Sequence, residues 1–208
     1  MNELKKILIV DDHKVMRDPL EREFCPENGF DVIGSIENAA FAEPYCARKH
    51  PDVIIMDVCT ENGASGLEAA EKILKRFPKI KIIVTSGFDE VTYMPRAKKI
   101  GAHAFIYKTN GGEYYREAAM RVMNGAHVFP ERKTIPLPQG EAPFTDREME
   151  VLRLMCKGMT GQQVAEELLV SIKTVNRHIE NMRQKAGVNS AMSLMSYVLS
   201  NGWVNPNY

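Results

Sequence analysis

Up to about residue 126, short apolar runs alternate with longer stretches of helical period, and this alternation predicts a parallel sheet covered by helices on both faces. Five runs read as strands: residues 6–10 (KILIV), 31–36 (DVIGSI), 53–57 (VIIMD), 81–86 (KIIVTS) and 104–108 (AFIYK). Consecutive strands are separated by roughly 20 residues, room for the crossover helix and two loops that parallel pairing requires. Two prolines, Pro44 and Pro95, fall where helices are expected. An interior proline costs about 3 kcal/mol, so the fourth helix is expected to be short and to begin at Pro95.

Residues 125–143 (GAHVFPERKTIPLPQGEAP) carry neither period and are rich in proline and glycine, which marks a linker. Beyond it every periodic segment is helical: 146–157, 161–169, 172–186 and 190–201. The expected organisation is an α/β domain over 1–126 built on a five-stranded doubly wound parallel sheet, a linker over 127–143, and a small all-α domain over 144–208. Helix starts in the last part are explicit. Thr145 with Glu148 and Thr160 with Gln163 form capping boxes, Ser171 caps the next helix, and Gly158 and Gly187 stand where left-handed caps end helices. The short turn between the second and third of these helices is that of a helix-turn-helix, whose later helix enters the major groove.

Composition narrows this little. Hydrophobic residues make up 44% and charged residues 26%, ordinary for a globular chain, and the formal net charge is zero, so any basic surface must be local. Cys25, Cys46, Cys59 and Cys156 form no C-x-x-C pair and suggest neither zinc knuckle nor disulfide framework. The start, MNELKKILIVDD, is too short and too acidic for a signal peptide, and no apolar run approaches the roughly 20 residues of a membrane span. A cytoplasmic protein without membrane contact is expected.

The candidate chemistry lies at the strand ends, where open parallel sheets collect functional groups. The first strand runs into Asp11 and Asp12, the third ends in Asp57, the fourth carries Thr85 and the fifth ends in Lys108. Carboxylates gathered this way repel one another unless a cation neutralises them, and hard oxygen ligands suit Mg2+. A lysine and a hydroxyl beside them could hold phosphoryl oxygens while one aspartate acts as nucleophile.

This constellation resembles the flavodoxin-like receiver domain of two-component response regulators, and the match runs from the first strand to the helix after the fifth. The resemblance implies that Asp57 is the phosphoacceptor and that Asp11, Asp12, Asp57 and the backbone carbonyl of Cys59 hold Mg2+. It makes Thr85 the switch hydroxyl, Lys108 the phosphate-binding cation, and Phe105 an aromatic that reorients on activation. Several features depart from the family pattern: the loop VCTENGASG after Asp57 lacks the usual proline and brings Gly66 one residue late, Thr109 follows Lys108, and Pro95 interrupts the fourth helix.

In the helical domain, residues 171–187 carry Lys173, Arg177, Arg183 and Lys185 against Glu180, a local charge of +3. Val175, Ile179, Met182 and Ala186 form the apolar stripe opposite. The segment resembles the LuxR-type helix-turn-helix of NarL/FixJ regulators through T-D-R-E-x-E-V-L-R-L, K-G-M-T, V-A-E-E-L and S-x-K-T-V-x-x-H. That resemblance implies that Asn176, Arg177 and Glu180 face bases while Gln163, Lys173 and Thr174 contact phosphates. It also implies that the last helix pairs two copies as a homodimer on double-stranded DNA. His178 reads as a packed or phosphate-facing histidine. The whole chain is then expected to be a transcriptional regulator, not an enzyme, phosphorylated by a cognate sensor histidine kinase. Two alternatives stand beside it: an orphan DNA-binding regulator without a phosphate switch, supported by the altered loop and Pro95, and an aspartate-nucleophile phosphohydrolase, disfavoured by adjacent Asp11-Asp12 in place of D-x-D.

Overall fold

The structure is a computed structural model and describes residues 3–60, 64–87, 93–131, 144–201 and 203–204. The chain divides into two compact units, and the first closes at Glu131.

In the first unit β1 (Lys5–Val10), β2 (Phe30–Ile36), β3 (Val53–Asp57), β4 (Lys81–Ser86) and β5 (Ala104–Tyr107) form one parallel sheet in the order β2-β1-β3-β4-β5. Helices α1 (Lys14–Glu23), α2 (Ala42–Lys49), α3 (Gly66–Arg76), α4 (Tyr93–Lys99) and α5 (Gly112–Met123) make the crossovers. Side chains alternate across a strand, and here both faces are buried. Ile7, Ile9, Val53, Ile55, Ile83, Ala104 and Ile106 pack with Leu20 of α1, Phe24 just after it, and Tyr115, Ala118 and Val122 of α5. The alternate residues, among them Leu8, Val10, Ile54, Met56, Val84 and Phe105, are equally buried and point to the other face. This two-sided burial is why the strands read as continuous apolar runs.

Three details correct the expectations. The strand β5 ends at Tyr107, so Lys108 lies just beyond it, although its N–H still donates to the Ser86 carbonyl over 2.8 Å. The described helix α4 begins at Tyr93, two residues before Pro95, and is seven residues long; Pro95 is the third of these residues, where its missing N–H breaks no bond of the described helix. Pro44 occupies the first turn of α2 for the same reason. Pro19, which the sequence reading passed over, lies inside α1.

The expected linker is ordered at its start. Val128 is buried in the core of the first unit and forms a parallel bridge with Ala104: its N–H donates to the His103 carbonyl (3.0 Å) and its carbonyl accepts from Phe105 N–H (2.9 Å). His127 stacks on His103 with ring centroids 5.7 Å apart, and Lys98 sits 4.9 Å over the Phe129 ring. Thus residues through Glu131 belong with the sheet, covering the edge of β5, a strand edge that would otherwise be open. Residues 132–143 of the expected linker lie outside the described residues.

The second unit consists of α6 (Asp146–Cys156), α7 (Gly161–Glu167), α8 (Ile172–Ala186) and α9 (Ala191–Ser200). Both capping boxes form, and the Ser171 side chain accepts from Thr174 N–H. Gly158 (φ 85°) and Gly187 (φ 65°) adopt the left-handed conformation that a side chain would disfavour. Val151, Leu152, Val164, Val175, Met182, Leu194 and Val198 fill the core, with Ile179 only partly buried. Trp203 packs edge-on against Phe144 and Tyr197, joining the two ends of the unit. Among the described residues no helix is long and apolar enough to cross a membrane.

His103 gives the first unit a measurable acid sensitivity. Burial, then the charge of Lys81 and the neighbouring His127, push its pKa from 6.5 down to about 4, and its Nδ1 accepts from Ile82 N–H. Between those pH values the unfolded chain binds a proton that the folded chain does not. The contribution of His103 to stability is therefore complete above about pH 6.5 and is lost as pH falls toward about 4. Thermal melts across this window are expected to fall more shallowly for His103→Asn, which keeps an acceptor, than for wild type; parallel slopes would contradict this.

Candidate functional site

The register of the sheet assembles the polar cluster. Val10 pairs with Met56 and Asp57 with Thr85, so the row of residues facing α1 and α5 continues at the carboxyl edge as Asp11, Asp57 and Thr85. Lys108, two residues after Ile106, extends the same row. Asp11 and Thr85 are fully buried and Asp57 is 3% exposed, while Lys108 is partly buried.

Lys108 Nζ lies 2.8 Å from Asp57 Oδ2, to which it donates a hydrogen bond, and 2.8 Å from Asp11 Oδ2, as an ion pair without a directed hydrogen bond. One cation thus serves two buried carboxylates, with Asp12 close by. Burial pushes the Asp57 pKa up to about 7, and the charges of Asp11 and Asp12 act in the same sense, while Lys108 opposes them. Burial by itself would lower the Lys108 pKa, but its two carboxylate partners outweigh burial and hold it above the ordinary lysine value.

The oxygens fit a divalent cation. Carboxylate oxygens of Asp11, Asp12 and Asp57 and a ring nitrogen of His13 lie within 4.8 Å of one another, and Asp11 Oδ2 and Asp12 Oδ1 are buried without a directed hydrogen bond. Asp11 Oδ2 faces the Lys108 ammonium at 2.8 Å and Asp12 Oδ1 the His13 ring nitrogen at 2.6 Å, and a cation or water would complete their remaining lone pairs. Cys59 sits in an isolated antiparallel bridge with Ser65 whose flanking bonds use the carbonyls of Ala64 and Val58, not that of Cys59. Residues 61–63 of the atypical loop lie outside the described residues.

Phe105 stands apart from the cluster. It is buried on the opposite face of the sheet, edge-on to Tyr107 with centroids 5.3 Å apart.

On the second unit the expected basic surface is narrower than its composition. Arg183 pairs with Glu180 (2.8 Å) and donates to the Asn189 carbonyl; Lys185 pairs with Glu148 (2.8 Å), a buried carboxylate that also closes the Thr145 capping box. Of the four cations counted in this helix, Lys173 and Arg177 are left exposed without an ionic partner among the described residues. Asn176 is exposed beside them, while Thr174 is half-buried. Glu180 is held by Arg183 and Gln184 of its own helix, and the Gln163 carbonyl oxygen is occupied by Thr160. The turn before α8 carries Leu169, 92% exposed and in the left-handed region at φ 53°.

Comparison with known proteins decides the family. Residues 7–119 match the response regulator receiver domain, and residues 142–198 match the bacterial regulatory proteins of the luxR family. The chain belongs to the response regulators. It is 30% identical to the transcriptional regulatory protein DegU of Brevibacillus brevis, with 98% of this chain and 97% of that protein covered. It is 32% identical to the oxygen regulatory protein NreC of Staphylococcus aureus (strain JH9), with 93% and 96% covered. The fold is shared with the RcsB response regulator of Salmonella typhimurium (TM-score 0.62, 20% identity, 96% of this chain and 100% of that chain). It is also shared with RcsB of Salmonella enterica serovar Typhimurium bound to promoter rprA in the presence of phosphomimetic BeF3- (TM-score 0.63, 19% identity, 96% and 99%).

This response regulator therefore joins a receiver domain to a LuxR-type DNA-binding domain and regulates transcription. Sequence reasoning missed three side chains at its receiver site. Arg17, buried in α1, donates to the Asp11 carbonyl (2.6 Å) and pairs with Glu37 (2.5 Å), tying the β1–α1 turn to the end of β2. His13 approaches Asp12 (2.6 Å), and its own N–H donates to Asp11 Oδ1. Tyr115 of α5 places its hydroxyl 2.5 Å from that of Thr85. Only helical period could have pointed to Arg17 and Tyr115, and it does not say which polar tip reaches the cluster.

Gly66, the glycine that arrives one residue late, still does a specific job. A Cβ there would stand 1.7 Å from the Asp57 backbone carbonyl oxygen, so the first residue of α3 must be bare for the helix to seat against β3. Gly66→Ala is expected to lower stability by about 1–3 kcal/mol or more, as overpacking against backbone does. Denaturant unfolding checks this, and an unchanged midpoint would show that the contact is not rigid.

Proposed function

We propose that this regulator is switched by phosphorylation of Asp57, and that the switch governs DNA binding by α8. The observation that carries the reading is the partly buried Lys108 ammonium 2.8 Å from Asp57 with Asp11 and Asp12 alongside, an arrangement suited to receive a dianionic phosphoryl group. Asp11, Asp12, Asp57 and the Cys59 carbonyl would hold Mg2+, which supplies positive charge to offset the crowded carboxylates and the phosphoryl oxygens. An Asp57 oxygen attacks phosphorus; the P–N bond of a phosphohistidine on the sensor kinase breaks, its electron pair leaving on the imidazole, which is protonated. With a small acyl phosphate the P–O bond breaks instead and a carboxylate leaves. Lys108 pairs with the transferred group, Thr85 hydrogen-bonds it, and Phe105 changes its packing in response.

On the DNA side, Lys173 and Thr174 face phosphates together with Gln163, whose amide nitrogen donates. Asn176 and Arg177 read base edges, and Glu180 does so after exchanging its intrahelical partners. The exposed Met192 and Leu199 of α9 supply the apolar contact for a homodimer on a twofold site. The binding of RcsB to a promoter in the presence of a phosphomimetic supports this reading. The protein acts in the cytoplasm, where its DNA and kinase partners meet.

Incubation with acetyl phosphate and Mg2+ is expected to add one phosphate to wild type and none to Asp57→Ala, read by intact mass spectrometry. Labelling that survives the substitution places the acceptor elsewhere. On a selected operator, Arg177→Ala is expected to cost about 1–3 kcal/mol and relax preference at one base pair. Lys173→Ala should weaken all sequences alike and reduce the salt slope by about one. Anisotropy titrations across a salt series distinguish the two, and identical behaviour of both variants would contradict the division of roles.

A further inference from the structure

Thr85 and Tyr115 share a single hydrogen bond, and the count of their protons is informative. Their hydroxyl oxygens are 2.5 Å apart, both residues are fully buried, and among the described residues neither hydroxyl has another partner. Each hydroxyl has one proton to donate, so one of the two protons is used within the pair and the other must look outside it.

The surroundings decide which. Tyr115 belongs to the apolar cluster of Ile7, Ile9, Ile55, Ile83 and Ile106. Were Thr85 the donor, the phenolic proton would have no acceptor among the described residues, which is unfavourable for a buried donor. Thr85 is placed otherwise: it is the register partner of Asp57 on the adjacent strand, and its side chain continues the row that ends in the carboxylates. With Tyr115 donating, the proton left over is that of Thr85, on the side where oxygens are. A phenol is also the stronger acid of the two and the better donor.

We propose that Tyr115 is a positioning residue for the switch: its phenol donates to Thr85 Oγ1 and so fixes the threonine as a donor toward an oxygen carried by Asp57. This rests on the reading of Asp57 as phosphoacceptor. Its consequence is that the Thr85 hydroxyl need not rotate or exchange partners when the phosphoryl group arrives, since it accepts from Tyr115 and donates to the group at once. A tyrosine that merely fills the core would leave the phosphorylated state unaffected by loss of its hydroxyl.

The test is a set of titrations of the full-length protein with beryllofluoride in the presence of Mg2+, by calorimetry. It uses wild type, Tyr115→Phe, Thr85→Val, Thr85→Ser and the two double variants. Tyr115→Phe keeps the ring, and a thermal melt without ligand verifies its fold. Loss of the phenol is expected to weaken beryllofluoride binding about fivefold, the scale of one hydrogen bond. The same loss should recur in the Thr85→Ser background, which keeps a hydroxyl, and vanish in the Thr85→Val background. Unchanged or tighter binding by Tyr115→Phe overturns the proposal, as does an equal effect in Thr85→Val. Should wild type itself bind no beryllofluoride, the Asp57 reading fails and carries the inference down with it. Weakened binding by Thr85→Val without any effect of Tyr115→Phe sinks only the inference.

Discussion

Three carboxylates are gathered at the buried edge of a parallel sheet with one lysine between two of them, and the receiver domain is organised around tolerating that crowding. Like charges at this separation repel strongly in a medium poorer than water, so something must hold them in place. The backbone does so: the strand register that pairs Val10 with Met56 and Asp57 with Thr85 leaves the side chains no freedom to spread along the edge. Arg17 adds a second restraint by binding the Asp11 carbonyl from below. Burial first, and then the charges of Asp11 and Asp12, push the Asp57 pKa up to about 7. A site held in this condition favours any added positive charge.

The two faces of the sheet divide the labour. Asp57, Thr85 and Lys108 lie on the face covered by α1 and α5, where Tyr115 meets Thr85; Phe105 lies on the other, next to Tyr107. The strand β5 joins them, because it carries Phe105 and leads into Lys108. The same strand holds the first residues beyond α5 through the Phe105 to Val128 bond. A backbone change at Phe105 must either break that bond or carry Val128 with it, so the chain beyond α5 begins in direct contact with the strand that bears Phe105.

Much of this was legible beforehand. Strands buried on both faces announce themselves as apolar runs, and polar residues that abruptly end such runs are unlike ordinary turns; Asp11, Asp57 and Thr85 could be found on that basis. The caps of α6, α7 and α8 were equally plain, since each rests on one local hydrogen bond between residues three apart. What escaped depends on contacts distant in sequence. Val128 looked like linker because a one-residue bridge has no period. Arg183 and Lys185 entered the local charge of +3 at full weight because a charge count does not show that they pair with Glu180 and Glu148. Tyr115 and Arg17 looked like ordinary helix residues because nothing local says which hydroxyl or backbone carbonyl a side chain will reach.

The central claim is that the state of Asp57 sets the DNA affinity of α8. The most direct measurement is the dissociation constant of full-length protein for one operator at fixed salt, with and without beryllofluoride and Mg2+, in wild type and Asp57→Ala. The account predicts a change in affinity for wild type alone. Equal, unresponsive binding by both proteins would contradict it and leave a DNA-binding regulator that is not controlled through Asp57.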